Sequence, residues 1–259
     1  TAGESGLLVL SSGTSSSGNT GALYVGSGWA SKGRAGSIYV TVGSGNSGMG
    51  GELVLSAGTS SLGTGGRLTV LSGSSVTSSG GLLLKTDDAG ATGGVSGLLV
   101  LSSGAATSGN SGALYVGSGS STIGRSGSIY VTVGSGNSGM GGEIIVRSGT
   151  SSFSTGGRLS IVSGFGSTST SGALLLRSAD AGTAGESGLL VLSSGTSSSG
   201  NTGALYVGSG AATIGRAGSI YVTVGSGDSG MGGELVLSAG TSSLGSGGRL
   251  TVLSGSSST

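Results

Sequence analysis

The chain has 259 residues, of which 63 are Gly, and Gly, Ser and Thr together make up more than half of it. Charged residues are 7%, aromatics 3%, the formal net charge is +1, and Cys, Pro and His are all absent. This composition argues against an ordinary globular core, against a basic patch for nucleic acid or anionic membrane, and against disulfides, thiolate metal sites and His-based catalysis.

The chain is built of repeats. Residues 36–52, GSIYVTVGSGNSGMGGE, return letter for letter at 127–143, and again at 218–234 with Asp228 in place of Asn. Beneath this 91-residue block lies a shorter period. Repeats start at Gly6, Gly21, Gly36, Gly51, Gly66 and Gly80, then at Gly97, Gly112, Gly127, Gly142, Gly157 and Gly172. They continue at Gly188, Gly203, Gly218, Gly233 and Gly248, making seventeen in all, six to a block. The start at Gly80 puts Leu82 and Leu84 in register with Leu174 and Leu176, and Lys85 with Arg177. The whole chain thus reads as one continuous array, with blocks at 6–96, 97–187 and 188–259, the last incomplete.

Each repeat opens on a predicted strand. The third position is always Leu or Ile and the fifth always Leu, Val or Ile, an alternation at period 2 that implies one buried face. Nowhere does an apolar period of 3.6 residues occur. Position 10 is small in nearly every repeat (Ser15, Ala30, Gly45, Ser60), which predicts that it faces the aliphatics across a narrow interior. The expected fold is all-β, a parallel β-solenoid of seventeen 15-residue coils. Two further architectures fit the pattern, a larger coil of three repeats and an antiparallel cross-β meander with loops of seven to nine residues. The chain begins and ends inside a repeat without a capping segment, so it reads as a window on a longer array or a subunit whose ends stack on other copies.

The outward face of these strands is the candidate site. Position 4 reads Val9, Tyr24, Tyr39, Val54, Thr69, Leu83, then Val100, Tyr115, Tyr130, Ile145, Ser160, Leu175, then Val191, Tyr206, Tyr221, Val236, Thr251. Such a stripe predicts lateral packing of one copy on another, although β-branched and aromatic residues are also simply good strand formers. Glu52 with Arg67, Glu143 with Arg158 and Glu234 with Arg249 occupy position 2 of consecutive repeats, and on stacked rungs they would pair and set register.

Other chemistry is weakly signalled. Asp87, Asp88 and Asp180 do not recur in every repeat, as a glycine-rich calcium-binding array requires. Serine is abundant but has no activating base, and GSGNSGMGG lacks the Lys-Ser/Thr ending and the helix of a phosphate loop. No catalytic, cofactor or metal residue is therefore expected. Asn occurs in no N-x-Ser/Thr acceptor, whereas runs such as GTSSSGNT can take O-linked sugars.

The phrase GALYVGSG…GSIYVTVGSGNSGMGGELVLSAGTSSLGTGGRLTVLSG resembles the Gly/Ser/Thr-rich repeat arrays of secreted and cell-surface proteins of algae and related protists. The resemblance rests on the G-x-[LI]-x-[VLI]-x-S-G frame, covers the whole chain, and implies an extracellular structural role without catalytic residues. Residues 183–259 match 1–77 at all but positions 29, 31, 32, 46, 64 and 76, as duplication that is recent, or whose copies are often corrected, would leave them. The expected function is a self-associating structural protein of an extracellular filament, appendage or coat. The alternative is an ice-binding or adhesive rod, for which no regular Thr-x-Thr file is present.

Overall fold

The computed structural model describes residues 5–90 and 94–256. Among them there is neither a helix nor a strand. The β-solenoid is therefore corrected, and with it the three-repeat coil and the cross-β meander, since none of these exists without paired strands. Alternation at period 2 does keep the start of each repeat extended, but an extended segment becomes a strand only when a neighbour supplies its ladder. No segment among the described residues receives one.

The reason lies in where each repeat closes. Stacked rungs would bring residue i against residue i+15. Instead the recurring approach joins position 7 of one repeat to the opening Gly of the next, mostly nine residues on: Ser12 to Gly21, Ser27 to Gly36, Ala57 to Gly66, Ser103 to Gly112. The stretch between them is thrown out as a loop of the Ω type, with its ends together and its tip in solvent. Close contacts divide the chain into two parts, Thr1–Tyr130 and Val131–Thr259, and each contains loops of this kind.

The loop necks are fastened in three ways, according to the place of the repeat in its block. In the fourth repeats the backbone closes the neck, with Gly66, Gly157 and Gly248 N–H donating to the carbonyls of Gly58, Gly149 and Gly240 at 2.7–2.8 Å. The fifth repeats do the same, from Gly80 to Gly73 and from Gly172 to Gly164. In two second repeats the position-7 hydroxyl serves, Ser118 donating to the Gly127 carbonyl and Ser209 to that of Gly218. In the third repeats Val42, Val133 and Val224 pack against the next Gly and are the least exposed of the large apolar side chains, at 45% each.

This neck accounts for the glycine that opens the fourth repeats. A Cβ built on Gly51 or Gly233 would lie 2.5 Å from Cγ1 of Val42 or Val224, and one on Gly142 would meet Val133 in the same way. Gly51→Ala, Gly142→Ala and Gly233→Ala are therefore expected to expel the valine from its neck, seen as loss of nuclear Overhauser contacts between the valine methyls and the next repeat. The neighbouring substitutions Gly50→Ala, Gly141→Ala and Gly232→Ala, which meet nothing within 4 Å, should leave those contacts intact.

Loop tips follow the same order. In the first three repeats of each block, position 13 is a glycine with positive φ: Gly18, Gly33 and Gly48, then Gly109, Gly124 and Gly139, then Gly200, Gly215 and Gly230. Only glycine takes that backbone without strain. The fourth repeats bend differently. There Ser60, Ser151 and Ser242 accept through Oγ from the N–H of Gly63, Ser154 and Gly245 at 2.9–3.0 Å, a hydroxyl-held turn. Position 13 then needs no positive φ, and serine stands there at Ser154. The small tenth position is thus a tip fastener in these repeats and does not face an interior.

Candidate self-association surface

An accessible surface of 26060 Å² belongs to a chain of 23.8 kDa. A folded monomer of that mass exposes about 10,000 Å² and a fully extended chain about 34,500 Å². Among the described residues no side chain is buried. The half-buried ones are mostly the small residues at the necks: Ala57, Thr86, Ser148, Ser163, Ser178 and Ala239. The third- and fifth-position aliphatics, expected to form an interior, are exposed.

A weaker form of the alternation survives. Third-position Ile38, Leu53, Ile129 and Leu235 are 50–54% exposed, whereas the fourth-position tyrosines reach 84–92%. All six tyrosines of the chain, Tyr24, Tyr39, Tyr115, Tyr130, Tyr206 and Tyr221, stand at position 4 of second or third repeats. The rest of the stripe is also exposed, at Val9, Val54, Leu83, Val100, Ile145, Leu175, Val191 and Val236. These side chains lie on successive extended segments that do not pair with each other, so the single chain does not assemble them into one sheet face.

The charged positions are not paired as rungs would pair them. Glu52 and Arg67, Glu143 and Arg158, and Glu234 and Arg249 flank the fourth-repeat loops, each Glu six residues before the glycine that opens the neck and each Arg one residue after the glycine that closes it, and none of these couples forms an ion pair. Among the described residues the ion pair is Lys85–Asp88 at 3.3 Å, an exposed i,i+3 contact of the kind that contributes about 0–1 kcal/mol.

Sequence reasoning missed the large apolar residues at the loop tips. Leu62, Phe153 and Leu244 stand at the apex of the fourth-repeat loops, Ile123 and Ile214 at the same twelfth position in second repeats, and Met49, Met140 and Met231 two positions later, at the fourteenth, in third repeats. Each is 94% exposed or more. The signal was in the letters, since the twelfth position is Leu, Phe and Leu in the three fourth repeats and the fourteenth is Met in all three third repeats.

The described residues contain no pocket and no grouping of three His, Cys, Asp or Glu, and no helix long and apolar enough to cross a membrane. Comparison with protein-family models, curated proteins and solved structures returned no match.

Proposed function

We propose that the chain is a structural protein that acquires its order by associating with further copies of itself, in an extracellular filament, appendage or coat. One observation carries this reading. The large apolar side chains are exposed without exception among the described residues, yet they recur in register every 15 and every 91 residues.

Ordering a backbone costs about 1–2 kcal/mol per residue, and burial of apolar surface normally offsets it. A lone chain with nothing buried lacks that term, so the remaining apolar contacts have to come from outside it. A partner with the same spacing satisfies all blocks at once, and another copy has that spacing by construction of the repeat. The extracellular setting is supported by the frame shared with secreted and cell-surface repeat arrays, and serine-rich loop tips leave room there for O-linked sugars.

Sedimentation velocity over a range of concentrations, followed by electron cryo-microscopy of the sedimenting material, tests the reading. The expected result is cooperative assembly above a threshold concentration, into particles with an axial period that recurs once per block. A chain that stays monomeric throughout ends the structural reading. Thermal hysteresis from such a monomer would establish an ice-binding rod in its place.

A further inference from the structure

The fourth-repeat loops are fastened twice in the same way in all three blocks, whereas the other doubly fastened loops, 73–80 and 118–127, are each alone among their counterparts in being so. Residues 58–66 (GTSSLGTGG), 149–157 (GTSSFSTGG) and 240–248 (GTSSLGSGG) each combine a backbone bond across the neck with a serine hydroxyl bond across the tip. Each lifts one large apolar residue clear of the loop: Leu62, Phe153 and Leu244, all fully exposed. Each is flanked by one acid and one base at the same offsets, Glu52 and Arg67, Glu143 and Arg158, Glu234 and Arg249. The same construction therefore occurs three times, 91 residues apart, in a chain with only 7% charged residues.

We infer that these three loops are the contacts that set the register between two copies of the chain, each docking on a fourth-repeat loop of the second copy. The inference rests on the self-association proposed above and names its contact. Charge selects the occupant. A loop with an acid on its entering segment and a base on its leaving segment is complementary to itself, because a two-fold arrangement lays each Glu against the other copy's Arg. The apex side chain then enters a polar, glycine-rich surface already bent to shape. Two bonds within the loop reduce what remains to be ordered on docking.

Neighbouring loops lack one or another of these parts. The second repeats carry Ile123 and Ile214 but have no acid at position 2, and the third repeats have neither a hydroxyl-held tip nor a flanking charge at that position. A block thus offers one such contact, and chains can align only in steps of 91 residues.

The test uses the whole chain carrying Arg67→Lys, Arg158→Lys and Arg249→Lys, which keeps the charge and supplies an amine. Isotopically light and heavy chains are mixed, assembled and treated with a zero-length carbodiimide. The expected products join Glu52, Glu143 or Glu234 of a light chain to position 67, 158 or 249 of a heavy one. Links confined to single chains, or none at these positions in material that sediments as an assembly, overturn the inference while leaving self-association standing. A mixture that does not sediment at all overturns both. As a second measurement, Leu62→Asp, Phe153→Asp and Leu244→Asp together should raise the threshold for assembly at least about tenfold, from lost apolar burial alone. An unchanged threshold removes the apices from the contact and sinks the proposal as stated.

Discussion

Replacing all six tyrosines, Tyr24, Tyr39, Tyr115, Tyr130, Tyr206 and Tyr221, with lysine is expected to keep the chain monomeric at concentrations at least about a hundredfold above the parent's assembly threshold. Tyr has one of the larger apolar surfaces of any side chain, about 150–250 Å² buried when packed, at about 25 cal/mol per Å². A hundredfold shift corresponds to about 2.7 kcal/mol, which about 110 Å² supplies at that rate, a small fraction of what six packed tyrosines bury. The added lysines also raise a net charge of +1 to one that opposes association at low salt. Replacing the same six with phenylalanine keeps the area and should preserve assembly. Sedimentation velocity separates the three chains. Assembly of the lysine chain at the parent's threshold would show that the fourth-position stripe is not a contact.

Amide hydrogen exchange gives the second large effect. In the dilute monomer the backbone–backbone bonds among the described residues are the five at the necks, donated by Gly66, Gly80, Gly157, Gly172 and Gly248. A few further amides, among them Gly63, Ser154 and Gly245, donate to nearby side-chain oxygens, and exchange of the remaining described amides should run near the free-chain rate. In the assembled material, positions 2 to 7 of each repeat are expected to slow by two or more orders of magnitude, because they acquire backbone partners only from other copies. Protection of those segments in the monomer would mean that ladders form within one chain, against the architecture described. Assembled material with no protection at all would be an unordered aggregate, and the structural reading would fail with it.

Much of this was legible in the sequence, but at the wrong level. The block of 91, the repeat of 15, the extended opening of each repeat and the recurring tyrosines could be read directly, because period and alternation are properties of the letters. The partner of each extended segment could not. Alternation at period 2 describes a half-buried strand equally well whether its ladder is the next repeat, a distant one or another molecule. The clue that excluded i to i+15 stacking was the neck, and it sat in two positions read separately. Read alone, an invariant opening Gly marks only where a repeat begins, and a small seventh position marks nothing. Only Val42 beside Gly51, and its counterparts at 133 and 224, shows that the glycine is there to admit a neighbour. Ser60 was misplaced for a related reason, since a small residue facing an interior and a hydroxyl that fastens a bend look alike in one letter. Glu52 and Arg67 recur as a couple in the letters, but the adjacency expected of them belongs to stacked rungs, which are not formed.

The necks have a consequence for how such an array can change over time. Whatever lies between a seventh position and the next opening glycine is sutured off from the segments on either side. The close approach spans eight residues at Ser72 and Gly80, nine in most repeats, ten at Ser178 and Gly188, and eleven at Thr86 and Gly97. Residues can be gained or lost inside a loop while the seam stays shut, so the spacing between successive extended segments is insulated from small insertions. Loop interiors are therefore where the copies are free to diverge, and where a foreign peptide could be carried without disturbing the repeat.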